Sequence, residues 1–116
     1  MRWPRARRLL RRPEFIAAYE LGMRRVSRHF TLFGRTSATG GVRFGITASR
    51  KVGPAVVRNR IRRRTRELLR RMSPPYAGSC EVVINPRPSV ADADFQELAQ
   101  ELEAQVSLLF SRLQKE

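Results

Sequence analysis

The sequence predicts one small α+β domain, a sandwich in which a single sheet is packed by helices, in the order helix, strand, strand, helix, strand, helix. Three observations carry that prediction. Residues 54–72 and 92–113 space their apolar side chains as helices do. Residues 28–35 and 42–49 alternate as strands do, and the short Val-Val-Ile run within 81–86 has the length and bulk of a strand buried on both faces. At 116 residues with 41% hydrophobic content, the chain suits one domain (1–116) with a real core and is too short to argue for two.

The first twelve residues carry six arginines and are expected to form a basic, flexible arm. Pro13 offers a first-turn position for a helix over "PEFIAAYELG", with Phe15, Ala18, Tyr19 and Met23 on one face and Gly22 as the stop. In "RHFTLFGR", Phe30 and Leu32 point one way; His29, Thr31, Phe33 and Arg35 point the other. "TSATGG" supplies a turn, and "VRFGITAS" follows with Val42, Phe44, Ile46 and Ala48 on one face. Two adjacent strands joined by a Gly-rich turn predict an antiparallel hairpin. Gly45 and Thr47 leave the other face of the second strand nearly bare beside Phe33, either as a docking surface for something flat or as the seat of the first helix.

The second helix begins near Pro54 or Ala55. Val57, Ile61, Leu68 and Met72 form its apolar stripe, with Thr65 and Leu69 alongside. "SPPYAGSC" breaks it, and "EVVINP" is the last strand. In the final helix, roughly Asp92 to Leu113, residues Phe95, Leu98, Ala99, Leu102, Val106, Leu109, Phe110 and Leu113 keep helical spacing, and Asp92 or Ser89 is expected to cap it.

Charge is the dominant feature. The net charge is +14. Residues 1–88 hold 22 of the 24 Lys/Arg and four acids, hence +18; residues 89–116 hold two basic residues and six acids, hence −4. Such polarity points to a polyanionic partner for the first three-quarters of the chain. In "KVGPAVVRNRIRRRTRELLRRM", eight arginines fall between Arg58 and Arg71 with Glu67 as the only acid, which is expected to make an internal salt bridge. An ordinary solvated helix face mixes signs to gain i,i+4 pairs. Cys80 and His29 are each the sole residue of their type, so an intramolecular disulfide, a cysteine-rich metal site and a paired-histidine site are excluded. His29 is expected to be a half-buried or solvated strand residue. No apolar run is long enough to span a membrane, and no secretory signal is present, which predicts the cytoplasm.

The segment "GITASRKVGPAVVRNRIRRRTRE" resembles the signature of the protein subunit of bacterial ribonuclease P, through Arg50, Lys51, Gly53, Ala55, Val56, Arg58, Asn59, Arg60, Arg63, Arg66 and Glu67. The resemblance extends to "RPEFIAAYELG", "RHFTLFG" and "EVVINPRP". Departures are small: Arg50 stands where Lys is frequent, Pro54 where a small polar or basic residue is usual, Tyr19 where Phe is common, and Asn85 where an apolar residue is common. The resemblance implies a fold related to domain 2 of ribosomal protein S5, with a left-handed β-α-β crossover against the general rule.

It also implies two RNA faces. Arg58, Asn59, Arg60, Arg62, Arg63, Arg66 and Arg70 are expected to bind the catalytic RNA subunit, with Arg50 and Lys51 holding phosphate at the strand-to-helix junction. Phe15, Tyr19, Phe33, Arg35 and Thr47 are expected to line a cleft for the single-stranded 5′ leader of precursor tRNA, although core packing is an alternative for Phe15 and Phe33. Hydrolysis of RNA needs metal-bound carboxylates or acid–base side chains. The four acids Glu14, Glu20, Glu67 and Glu81 are scattered among arginines, so no catalytic residue is expected in the protein. The implied catalyst is the RNA subunit with Mg²⁺, and the protein is expected to be monomeric in a 1:1 complex with it. A basic structural protein of ribosomal type is the alternative with the same charge and size.

Overall fold

The computed structural model describes residues 12–38, 40–72 and 76–115. All but Arg12 of the expected basic arm lies outside the described residues. Among these residues, three α-helices and four strands follow one another as α1 (Arg12–Leu21), β1 (Met23–Val26), β2 (Phe30–Thr36), β3 (Val42–Ile46), α2 (Ala55–Arg70), β4 (Cys80–Pro86) and α3 (Phe95–Gln114). Short 3-10 turns at Arg50–Val52 and Pro88–Ala91 precede α2 and α3.

The sheet order is β1-β2-β4-β3, which corrects two expectations. β1 was not anticipated: its four residues, Met-Arg-Arg-Val, offer too little apolar alternation to read as a strand, yet they pair antiparallel with β2 from Met23↔Gly34 to Val26↔Thr31. The expected β2–β3 hairpin does not form. β4 lies between them, antiparallel to β2 (Phe30↔Pro86 to Thr36↔Cys80) and parallel to β3 (Val42↔Cys80 to Ile46↔Ile84). The physical reason lies in β4 itself. A Val-Val-Ile run that is apolar on both faces is stable only as a central strand with two neighbours. The connection between β2 and β3 steps across its entrance and is tied there, with Ser37 N–H on Ser79 O at 3.0 Å and Cys80 N–H on Gly41 O at 3.1 Å.

One sheet face, with Phe30, Leu32, Val42, Phe44, Val82 and Ile84, closes the core against Ile61, Leu68 and Leu69 of α2 and Leu98, Leu102, Val106, Leu109 and Phe110 of α3. The other face carries α1, whose Ala18 is fully buried. α1 can end close on the sheet only because residue 22 is glycine: a Cβ there would meet Ala18 O at 2.4 Å and Gly34 O at 2.9 Å. The helical stripe of α2 is as expected, with Ile61, Thr65, Leu68 and Leu69 buried. α3 starts later than expected. Its cap is Asp94, which accepts the Glu97 N–H at 3.0 Å, because Ser89 and Asp92 are taken up in and just after the preceding 3-10 turn.

Candidate nucleic-acid interface

Helix α2 leaves β3 through the 3-10 turn at Arg50–Val52 and Gly53, whose φ of 149° lies in a region L side chains rarely adopt. That requirement explains the glycine of the motif. Arg50 and Lys51 are exposed on the turn at the N-terminus of α2, and their side chains make no hydrogen bond or ion pair among the described residues.

At roughly 100° per residue, the arginines of α2 separate into two flanks on either side of the buried stripe. On one flank lie Arg60, Arg64 and Arg71. Arg60 Nε donates to Ala91 O at 2.7 Å. Arg64 Nη1 donates to Val90 O at 2.7 Å and Ala91 O at 3.0 Å, and its Nη2 to Ala93 O at 2.8 Å. The guanidinium groups of Arg64 and Arg71 lie over the Phe95 ring, 5.6 and 5.0 Å from its centroid. This flank clamps the turn between β4 and α3.

The other flank is an open arc of Asn59, Arg62, Arg63, Arg66 and Arg70. Arg63 and Arg66 are exposed and have no partner among the described residues. Arg62 reaches Ala48 O at 3.2 Å and Asn59 Oδ1 at 3.4 Å. Arg58 borders the buried stripe, with its Nε buried and unpartnered among the described residues. Glu67 separates the two flanks. It pairs with Arg70, through Nε at 2.8 Å, and with Arg71 at 3.7 Å, as expected of an internal salt bridge. The hydrogen bond to Arg70 holds the Glu67 carboxyl below its ordinary range and raises Arg70 in turn.

The second group of expected site residues gathers between α1 and the sheet. The Tyr19 and Phe33 rings meet edge to face at 4.8 Å. Tyr19 Oη donates to Asn85 Oδ1 at 3.0 Å and lies 3.2 Å from Thr47 Oγ1, which also donates to Asn85. Phe15 and Phe33 are half-buried and belong to neither the main core nor the residues packed against it. Asn85 was not picked out as a site residue, although a lone amide after Val-Val-Ile was a legible signal.

Arg35 is held at the far end of this face, 3.5 Å from Glu81. Arg43 links Glu81, at 2.8 Å, to Glu14. Two of the acids expected to be scattered are thereby brought together. Burial, and then a hydrogen bond from Glu14, push the Glu81 carboxyl above its ordinary range. With two guanidinium groups occupying their oxygens, these carboxylates do not fit a Mg²⁺ site, and no cluster of three metal-ligating side chains occurs among the described residues.

His29 is buried just ahead of β2, not half-buried or solvated within it. Its Nδ1 lies 2.6 Å from Ser89 Oγ, and its backbone N–H donates to Glu101 at 2.7 Å. This is a structural knot between β2 and α3.

Fold and surface together define a class: a small α+β domain presenting ordered arginines of the kind that meet polyanions. The comparisons narrow that class. The profile of the Ribonuclease P family matches residues 3–110. The ribonuclease P protein component of Geobacter sp. (strain M21) is 38% identical over 113 residues, covering 97% of this chain and 93% of that protein. The counterpart from Maridesulfovibrio salexigens is 41% identical over 87 residues, covering 73% and 70%. Among solved structures, the RNase P protein of Thermotoga maritima superposes with a TM-score of 0.75 at 26% identity, covering 86% of this chain and 94% of that one. That of Staphylococcus aureus gives 0.73 at 23%, a likeness of fold, covering 90% and 97%. The chain belongs to the bacterial ribonuclease P protein family.

Proposed function

We propose that this chain is the protein component of a ribonuclease P holoenzyme, which removes the 5′ leader of precursor tRNA. The open arc of α2 (Arg62, Arg63, Arg66, Arg70 and Asn59), with Arg58 and the terminal nitrogens of Arg60, binds the catalytic RNA subunit. Arg50 and Lys51 hold a phosphate beside the start of α2. The leader lies in the cleft of Phe15, Tyr19, Phe33, Arg35 and Thr47, with Asn85 fixing the Tyr19 hydroxyl. Unpaired bases stack on aromatic faces without strong sequence preference, which suits leaders of varied sequence. The β3-α2-β4 crossover is taken as left-handed, as in domain 2 of ribosomal protein S5.

The observation that carries this reading is the open arc. Arg63 and Arg66, exposed and without partners among the described residues, are fixed on a helix whose opposite flank is pinned, and Arg62 and Arg70 beside them keep donors free, an arrangement suited to bidentate phosphate contacts in set positions. In this reading hydrolysis is carried by the RNA subunit and its Mg²⁺. The protein's part is to neutralise phosphate repulsion and to hold leader and RNA subunit together, as a cytoplasmic monomer bound 1:1. Reconstitution with a bacterial ribonuclease P RNA at low Mg²⁺ tests this. Cleavage of the leader is expected only with both components, and is expected to fail when Arg63 and Arg66 are replaced by Ala. RNA binding that never restores cleavage contradicts it.

A further inference from the structure

Among the described residues, Arg64 makes three side-chain hydrogen bonds to carbonyls and none to an acid. The carbonyls of Val90, Ala91 and Ala93 all belong to the turn that carries β4 into α3, where a short 3-10 turn ends and leaves backbone acceptors without helical partners. A planar guanidinium can satisfy three of them from one side chain, which an ammonium cannot do in the same geometry. The contact continues onto Phe95, the first residue of α3, over which Arg64 and Arg71 both lie.

The position of this turn in the chain gives the contact its meaning. β4 ends in Asn85 and Pro86, and Asn85 receives the Tyr19 hydroxyl in the cleft. Arg64 is the neighbour of Arg63 and lies two residues before Arg66 on the open arc. One short, bonded line therefore runs from the floor of the cleft, through the turn, to the helix that displays the arc.

We propose that Arg64 is a positioning residue. By holding the 88–93 turn it fixes the open arc of α2 relative to the cleft, so that an RNA subunit on the arc and a leader in the cleft are held in one mutual geometry. The inference rests on the two-face reading given above. It adds a residue that acts through the protein backbone and not through phosphate.

The test uses the holoenzyme reconstituted with a bacterial ribonuclease P RNA, with the variants R64K and R64M. Three quantities are measured: the Tm of the protein, the slope of log affinity for the RNA against log salt, and the KM advantage of a full-length leader over one trimmed to a single nucleotide, taken well below Tm. Both variants are expected to lower Tm by about 5–10 °C and to leave the salt slope unchanged. Both are expected to reduce the leader-dependent KM advantage about tenfold with kcat unaltered.

A slope lowered by about 0.7–0.9 in R64M and restored in R64K makes Arg64 a phosphate contact and overturns the proposal. A lowered Tm with the full leader advantage retained reduces Arg64 to a stabilising residue and also overturns it. The control R63M/R66M is expected to lower the slope. If it does not, the two-face reading fails, and that failure is visible separately from the result for Arg64.

Discussion

Arg64 and Arg66 stand two residues apart on α2 and share only their side chain. Arg64 gives its donors to three backbone carbonyls and lays its plane over Phe95. Arg66 points away from the domain and has no partner among the described residues. The same division separates the whole helix into a clamped flank and an open arc. An arginine-rich helix therefore contains two kinds of arginine, and composition cannot distinguish them. What decides is angular position relative to the 88–93 turn. The first kind gives the helix a fixed place, and the second uses that place to present charge in set positions.

The comparison breaks most completely if the seam under both flanks is removed. Ile61→Ala deletes a fully buried side chain of the stripe and is expected to cost about 2–5 kcal/mol, read by urea unfolding. Both flanks should then lose function together, where an arc variant loses RNA binding alone.

A second contrast, between the arc and the cleft, is sharpened at Tyr19. Tyr19→Ala is expected to weaken leader binding by about 1–3 kcal/mol, since it removes a stacking surface, while affinity for the RNA subunit stays the same. Tyr19→Phe keeps the ring and loses only the hydroxyl's contacts with Asn85 and Thr47. On this exposed side chain it should cost about 1 kcal/mol or less in stability. Equal effects of the two variants would mean that the hydroxyl, and not the ring, is what the cleft uses.

Arg35 and Arg43 on the cleft side pair with Glu81, and Arg70 of the arc pairs with Glu67; the two acids respond to pH in opposite senses. Because the Glu81 carboxyl is raised, the folded chain holds its proton more tightly than the unfolded chain does. That contribution to stability is fully present below the ordinary value of 4.5 and is lost as pH rises through the raised one. Tm followed upward from pH 4.5 should therefore decline in the wild type relative to Glu81→Gln. Glu67, whose pKa is lowered, acts in the opposite sense: its contribution is present above the ordinary range and is lost as pH falls through the depressed value. The smallest effect is expected at Cys80, buried in β4 with its thiol pushed up to about 12. It should resist alkylation at pH 8 in the folded protein and react only on unfolding.

Much of this architecture was legible in the sequence, for identifiable reasons. The stripes of α2 and α3 follow helical periodicity without interruption, and the apolar run of β4 marked a buried strand. Glu67 was the only acid available to its arginine neighbours. β1 was invisible because an edge strand of four residues with two arginines carries no alternating pattern. The false β2–β3 hairpin came from reading proximity in sequence as pairing, where the apolar faces of β4 require it to sit between them. In the site, Tyr19, Phe33 and Thr47 could be singled out by type and face. The clamp of Arg64 could not, because backbone carbonyls leave no trace in sequence. The meeting of Glu14 with Glu81 was equally hidden, since it depends on where α1 lies across the sheet.

The central claim is that the arc, through its unpartnered Arg63 and Arg66, and not the arginine content as such, carries the RNA. Its most direct test is the affinity of the protein for ribonuclease P RNA across a salt series, for wild type and Arg63→Ala/Arg66→Ala. The account predicts a slope of log affinity against log salt lowered by about 1.4–1.8 for the loss of two phosphate contacts, with an unchanged Tm. An unchanged slope would contradict it.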